Sequence, residues 1–273
     1  MSLGIVFKGP EGIVLAADSR VTLNAEIKNA EGRVLLPATF DNATKLLRVA
    51  KHDYVGAVTY GIGAIGLREP RTAHSFLPEF ENALAGEENK RLSVQAFAAK
   101  FGDFFLRQWA ANMPEDYAGP DMTFLIGGFD VDSPYGRVYK IDIPSNPAPE
   151  EQNTGQFGIV WGGQLQFTTR LLQGFDPHLL TIVQQSLNLD DTQTSALREQ
   201  LIGTLSLPIP YQFLPLQDCV DLSIFLIRTT MELQTWLVDV RGVGGAIDVA
   251  TITRTKGFVA IQEKTILGQG KTR

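Results

Sequence analysis

Residues 1–22 read MSLGIVFKGPEGIVLAADSRVT, and the strand pattern of the rest of the sequence has to be consistent with this stretch. Two short runs rich in apolar and β-branched residues, 3–8 and 13–17, flank the tetrapeptide GPEG at 9–12. Glycine and proline in such a position are typical of a turn between two strands. The stretch therefore predicts a β-hairpin at the start of the chain.

The predicted hairpin brings Ser2 close to a carboxylate. If the turn is centred between Pro10 and Glu11, residue i lies opposite residue 21 − i, and Ser2 lies diagonally across from Asp18. Ser2 is a candidate nucleophile once Met1 has been removed. The alternative is that Ser2 is only the first residue of a strand, and the partners that a nucleophile needs must decide between the two.

The rest of the chain alternates strand-like and helix-like blocks. Helices are predicted over about 66–84, 93–112 with Ser93 as N-cap, and 165–237, the last interrupted at 188–191 and at the prolines of LPIPYQFLPL. Strands are predicted at KLLRVA (45–50), YVGAVTYG (54–61), MTFLIGGFD (122–130), GRVYKIDI (136–143), GQFGIVWGG (155–163), IDVATITR (247–254) and GFVAIQ (257–262). The polar stretch 22–44 is assigned no strand or helix, and PSNPAPEEQN (144–153) is predicted to be a loop.

This order of elements predicts an α+β fold built from antiparallel sheets. Strands joined by tight turns are antiparallel, whereas parallel neighbours need a crossover connection. Several strands are apolar on both faces, which indicates that each sheet is covered on both sides. We expect a four-layer αββα sandwich of two antiparallel sheets flanked by helices. We also expect one domain over 1–273, with a helical insertion at about 171–216.

Composition excludes several classes of function. The net charge is −6 and the basic residues are scattered, so the sequence predicts no nucleic-acid binding. The single Cys219 and three dispersed histidines make neither a disulfide nor a metal-ligand spacing, and we predict no metal site. Because no apolar run is long enough to span a bilayer, we expect a soluble cytoplasmic protein with no membrane partner.

Four segments carry a resemblance to a known family. They are the Ala-Asp-x-Arg-x-Thr pattern that ends the hairpin (17–22), NATKLLRV (42–49), TYGIGAIG (59–66) and GVGGAIDVATI (242–252). In this order, over most of the chain, the sequence resembles proteasome β subunits and the bacterial two-component heat-shock protease, which are N-terminal nucleophile (Ntn) hydrolases. The chain is identified as a divergent bacterial-type member. The fold of that family is the αββα sandwich expected above.

The resemblance implies catalytic roles for three residues. Ser2, after removal of Met1, matches the nucleophile, and its own α-amine would be the general base. Lys45 matches the lysine whose ammonium lowers the pKa of that amine, which is about 7.7 to 8.0 when unperturbed. Asp18 matches the aspartate that orients the lysine. No cofactor is implied.

Four further residues match positions around the family's substrate cleft. They are Arg20, Thr22, Gly61 and Gly163. Each also has a purely structural interpretation. Arg20 can pair at a strand end, Thr22 can form a turn, and a glycine can allow close packing between neighbouring elements.

The function expected from the resemblance is a self-compartmentalised peptidase of the serine/threonine type. The resemblance implies that the substrates are peptides or unfolded proteins and that the chain forms a homo-oligomeric ring or stack. An ATPase is a possible partner in this family. Two alternatives stay open. The first is a non-catalytic oligomeric scaffold or peptide-binding protein, because residues 161–164 (WGGQ) lack the supporting hydroxyl of the family. The second is an Ntn amidase that does not act on peptides.

Overall fold

The predicted N-terminal hairpin is present. The computed structural model describes residues 2–29, 32–67, 69–86 and 91–268. Strands β1 (Leu3–Lys8) and β2 (Ile13–Asp18) pair antiparallel, with Gly4 opposite Ala17 and Ile5 opposite Ala16. This is the predicted register, so the diagonal relationship between residue 2 and residue 18 is confirmed.

The other elements follow largely in the predicted order. The remaining strands are β3 (Val21–Asn29), β4 (Gly32–Phe40), β5 (Leu46–Leu47), β6 (Val55–Gly61), β7 (Met122–Gly128), β8 (Arg137–Ile143), β9 (Asn146–Gln152), β10 (Gly158–Gly163), β11 (Ile247–Thr253) and β12 (Gly257–Gln262). The α-helices are α1 (Leu77–Ala83), α2 (Val94–Asn112), α3 (Leu165–Gln173), α4 (His178–Leu187), α5 (Asp191–Leu205) and α6 (Leu216–Gln234). The hydroxyl of Ser93 accepts a hydrogen bond from the Ala96 amide, as expected of the N-cap of α2.

The strands of the described residues form three antiparallel sheets. The first sheet has the order β10-β1-β2-β11-β12, the second has the order β5-β6-β7-β8-β9, and β3 pairs with β4 in a separate hairpin. Helices α3 and α6 pack on the outer face of the first sheet, and α2 packs on the outer face of the second. The predicted α+β sandwich with an αββα arrangement is therefore confirmed.

Three apolar clusters fill the spaces between the layers. One lies between the two sheets and includes Val6, Leu15 and Leu125. A second lies between the first sheet and α6, and a third between the second sheet and the helices that follow β6. The third is rich in phenylalanine, and its rings at 76, 80, 97, 101 and 105 are the residues whose helical spacing predicted these helices. The sandwich thus buries each sheet on both faces.

Two parts of the strand prediction were incomplete. The polar stretch 22–44 contains most of the β3–β4 hairpin, and PSNPAPEEQN contains β9. Strand β9 lies at the edge of its sheet, where a proline without an N–H removes no hydrogen bond to a second neighbour. Its residues alternate between exposed and half-buried. The prolines therefore marked an edge strand and not a loop.

The helical regions also differ in detail. Only the second half of the region 66–84 is helical, as a 3₁₀ turn (Ala73–Phe76) that runs into α1. The region 171–216 contains α4 and α5, in neither of which any side chain is buried. Among the described residues, no helix combines the length and the apolar character needed to cross a membrane.

Candidate active site

Asp18 lies at the end of β2 and its carboxylate is completely enclosed. It accepts hydrogen bonds on Oδ1 from the Leu3 amide (2.9 Å) and the Lys45 ammonium (2.8 Å). It accepts two more on Oδ2, from the amides of Arg20 (3.1 Å) and Gly244 (3.0 Å). With both oxygens engaged, the carboxylate is fixed in place, and one of its oxygens holds the Lys45 ammonium.

Lys45 lies directly before β5 and extends to the end of the first hairpin. Its Nζ donates to Asp18 and to the carbonyl of Arg20 (2.5 Å), and its side chain is 6% exposed. Burial lowers the pKa of the Lys45 ammonium below its ordinary value, while the charge and hydrogen bond of Asp18 oppose this shift. Lys264, from the segment after β12, adds a smaller effect in the lowering direction.

Ser2 precedes β1 and is buried, with 6% of its surface exposed. Its carbonyl accepts a hydrogen bond from the Gln164 amide (2.7 Å), which extends the pairing of β1 with β10 by one residue. Ser2 and Lys45 line the same small cavity, whose volume of about 20 Å³ is enough for one water molecule. Met1, whose removal the prediction requires, lies outside the described residues.

The cavity between Ser2 and Lys45 has walls from both sheets. Its other lining residues are Val21, Ala43, Thr44, Thr59, Tyr60, Ile62, Gly63, Thr72 and Ala73. Thr59 donates to the carbonyl of Thr123 (3.1 Å), so its hydroxyl is held on the second sheet. The site therefore forms where the ends of β2 and β6 meet.

Tyr60 fixes the spacing of the two sheets beside Ser2. Its ring occupies the space that side chains at Gly4 and Gly162 would fill, since an added Cβ at Gly162 would lie 2.0 Å from Tyr60 Cζ. Burial raises the pKa of the Tyr60 hydroxyl well above its ordinary range, and the negative charge of Asp142 adds to the shift. Tyr60 therefore stays neutral near Ser2.

The structure places the predicted substrate residues next to the cavity and not in its lining. The Arg20 guanidinium forms a two-point ion pair with Asp41, at 2.7 and 2.9 Å. This pair raises the pKa of Arg20 and lowers that of Asp41. Thr22 has a buried hydroxyl with no partner among the described residues. Both residues flank Val21, which does line the cavity.

The two predicted glycines have left-handed backbone conformations. Gly61 has φ +91°, and an added Cβ would lie 2.0 Å from the carbonyl oxygen of Asp121. Gly163 has φ +95°, and an added Cβ would lie 2.0 Å from the carbonyl oxygen of Ser2. Both positions thus require glycine for backbone reasons. Gly163 additionally brings the end of β10 against the residue that carries the candidate nucleophile.

The sequence did not indicate Thr59 or Tyr60 as site residues. Both lie in a segment quoted for its glycines, TYGIGAIG. Tyr60 contacts β1 and β10, and Thr59 donates a hydrogen bond to Thr123, so both join segments far apart in the chain. The pairing of a tyrosine with Gly4 and Gly162 becomes visible only once the two sheets are stacked. Within the described residues, no group of three or more histidine, cysteine or acidic side chains could hold a metal ion.

No family model and no curated protein matches this sequence. Among solved structures, the chain is similar to the Anbu (Gly-1) mutant from Hyphomicrobium sp. strain MC1, a bacterial protein with a proteasome-like fold. The TM-score is 0.51 and the identity 13%, over 99% of this chain and 89% of that chain. At this identity the similarity supports the fold alone.

These comparisons correct the family assignment made from the sequence. The assignment to the family of proteasome β subunits and the two-component heat-shock protease is wrong, because no family model matches and the similar solved structure reported above is of Anbu, which is one of many similar chains. Two of the four segments that carried the resemblance form the end of the first hairpin and the Asp18–Lys45 pair.

Proposed function

We propose that this protein hydrolyses amide bonds in peptides, with Ser2 as nucleophile once Met1 has been removed. The observation that carries the proposal is the position of the Lys45 ammonium. Asp18 holds it at the wall of a water-sized cavity that Ser2 also lines. A free α-amine on Ser2 would lie within that same small space.

The reaction needs only this chain and water. The Ser2 hydroxyl oxygen attacks the carbonyl carbon of the amide while its proton passes to the α-amine, directly or through the water that the cavity can hold. The resulting ammonium gives the proton to the leaving nitrogen as the carbon–nitrogen bond breaks, which leaves an ester on Ser2. A second water, deprotonated by the same amine, hydrolyses the ester and restores the hydroxyl.

Lys45 makes the α-amine a better base at neutral pH. A positive charge close to the amine disfavours the protonated form and lowers the pKa of the amine. The hydrogen bond that Lys45 donates to Asp18 favours the protonated form of Lys45 against the effect of burial. In this account Lys45 and Asp18 tune and position the base, and neither transfers the proton itself.

The proposal includes the partners that a proteasome-like fold suggests. The similar structure of Anbu has such a fold. We propose that this protein is a cytoplasmic homo-oligomer, either a ring or a stack, that acts on peptides or unfolded proteins. The proposal is compatible with an ATPase that delivers the substrate. Arg20, Thr22, Gly61 and Gly163 would form the rim of the substrate site, since each flanks or contacts a residue of the cavity.

A second candidate function is binding without hydrolysis, either as an oligomeric scaffold or as a peptide-binding protein. A cavity of about 20 Å³ holds a water and not a peptide, so substrate has to displace part of the lining. Residues 161–164 also supply no hydroxyl to the amine of Ser2. Hydrolysis of small amides is the remaining alternative on the same residues.

The test is hydrolysis of a peptide library and a panel of small amides by the wild type, Ser2→Ala and Ser2→Thr. We expect the wild type and Ser2→Thr to cleave peptides and Ser2→Ala to be inactive. Ser186→Ala, an exposed position on α4, is the matched control and should keep full activity. Equal activity of Ser2→Ala and the wild type would contradict the proposal. Cleavage of small amides only would favour the amidase, and no cleavage by any variant would favour the scaffold.

A further inference from the structure

A second and much larger cleft lies on the far side of β10 from β1. Its volume is about 800 Å³, within the range of ligand-binding pockets, and it is bounded by β10, α3, α4 and α5. Trp161, Phe175 and Leu180 provide apolar surface, and Thr181, Ser195 and Arg198 provide polar groups. It is separate from the cavity between Ser2 and Lys45.

The floor of this cleft is the free edge of a sheet. Among the described strands, β10 pairs with β1 alone, so one side of its backbone faces the cleft. The Gln164 amide donates to the Ser2 carbonyl, so the backbone N–H and C=O groups of Gln164 and of every second residue before it point towards β1. Because the direction alternates along a strand, the N–H and C=O groups of Ile159 and Trp161 point away from β1. Both residues line the cleft.

These outward backbone groups have no partner among the residues that the structure describes. No hydrogen bond from the described part of the chain reaches the N–H or C=O of Ile159 or Trp161 on the cleft side. The side-chain nitrogen of Asn153, which also lines the cleft, is buried and donates to no described residue. Since buried polar groups are nearly always hydrogen-bonded, the cleft presents unused donors and acceptors at its floor.

The charge of the cleft is opposite to that of the whole chain. The chain has a net charge of −6, yet no Asp, Glu or Lys is found among the described residues that line the cleft. Its one cation is Arg198, which forms no ion pair within the described ranges. Arg198 shares a face of α5 with Thr194 and Ser195. A ligand with a carboxylate would find a planar donor there.

We propose that this cleft binds an extended peptide segment, which adds to the sheet as a strand beside β10 and places a carboxylate side chain against Arg198. The unpaired groups of Ile159 and Trp161 would supply the backbone hydrogen bonds, as in other cases of strand addition at a sheet edge. Thr181 and Ser195 would contact alternate side chains. This site goes beyond the proposed hydrolysis and does not depend on Ser2.

The lining of the cleft favours a peptide over other occupants. A strand added to β10 would lie about 4.8 Å from it. Helices α4 and α5 line the same cleft, so the added strand would have the edge of β10 on one side and side chains of these helices on the other. A small anion would satisfy Arg198 but would leave the edge of β10 unpaired.

The binding test uses a hexapeptide that carries fluorescein on its N-terminal amine in place of the acetyl cap, fluorescein-TVEVTV-amide, and fluorescence polarisation with the full chain. Two analogues separate the interactions: fluorescein-TVQVTV-amide lacks the charge, and a backbone N-methylated form lacks the donors that face β10. We expect saturable binding that weakens ~10-fold or more on N-methylation and ~10-fold on replacing the glutamate, as for the loss of charge-assisted hydrogen bonds.

Variants identify the site of binding. Arg198→Gln should weaken the glutamate peptide ~10-fold and leave the glutamine peptide unchanged, while Lys256→Gln, which makes the same change of charge at the β11–β12 turn, should affect neither. Ser2→Ala should bind the peptide as the wild type does, so a failure of the hydrolysis proposal can be distinguished from a failure of this binding proposal. The proposal would be overturned if the N-methylated peptide bound as tightly as the unmodified one, or if N-acetylglutamate amide competed as well as the peptide. Absence of saturable binding would overturn it too.

Discussion

The Lys45 ammonium and the Leu3 amide donate to the same oxygen of Asp18, at 2.8 Å and 2.9 Å. This shared acceptor links the buried cation to the first residue of β1, and Ser2 is the residue directly before it. The position of the charge and the position of the candidate nucleophile are therefore set by one carboxylate. A change at Asp18 or Lys45 should disturb both chemistry and folding, and the following predictions separate the two effects.

Replacing Lys45 by methionine should abolish activity and destabilise the protein. The α-amine of Ser2 would lose the charge that lowers its pKa and would be protonated at neutral pH, so activity should fall by about 10²-fold or more, as for the loss of general-base catalysis by that amine. The variant would also leave Asp18 buried without its cation, which should cost about 3 to 5 kcal/mol in the free energy of unfolding. Urea unfolding and peptide hydrolysis measure the two losses.

The control for the methionine variant is the double variant Asp18→Asn, Lys45→Met. It removes the uncompensated buried charge, so part of the stability should return while activity stays lost. A double variant no more stable than Lys45→Met would show that the buried pair is not the reason for the loss. Wild-type activity in either variant would contradict the role given to the Lys45 charge.

The buried Lys45 should make stability depend on pH in the alkaline range. Burial lowers its pKa in the folded state below the ordinary 10.5, so between the two values the unfolded chain binds more protons. The free energy of unfolding therefore rises with pH in that window, because the cost of burying the charged form disappears. The stability of the wild type minus that of Lys45→Met should increase as pH approaches 10. A difference that stays flat or decreases would contradict this.

Alanine at Gly162 should destabilise the protein because of Tyr60. The added Cβ would lie 2.0 Å from Tyr60 Cζ, and the ring has no free space beside Gly4 into which to move. Overpacking of this kind costs about 1 to 3 kcal/mol. Gly203→Ala on α5 is the matched control, since no described atom lies within 4 Å and alanine favours a helix by about 0.5 to 1 kcal/mol. Thermal unfolding should therefore shift in opposite directions for the two variants.

The features that could be predicted from the sequence are those that depend on a local pattern of residues. The GPEG turn sets the register of β1 and β2, and the register sets Ser2 beside Asp18. Apolar runs bounded by turn residues were likewise sufficient to predict β7, β8 and β10. The β3–β4 hairpin was missed although apolar and polar residues alternate along β3, and β9 was missed because its prolines are tolerated only on an edge strand.

Contacts between segments that are distant in the chain could not be predicted from a single sequence. Tyr60 packs against Gly4 and Gly162 across two sheets, and the Gly244 amide reaches Asp18 from the start of the last strand pair. The same limit explains the incorrect family assignment. A short motif identifies the hairpin and the ion pair that the fold requires, but the family depends on the residues around them.

The most direct test of the central claim is the intact mass of the native protein after incubation with a peptide epoxyketone. This reagent closes a ring onto a hydroxyl and an amine of one residue, so it requires a free N-terminal serine or threonine. We predict a chain that lacks Met1 and carries one inhibitor on its N-terminal fragment, with no adduct on Ser2→Ala and an adduct on Ser2→Thr. A native chain that retains Met1 and stays unmodified would contradict the account.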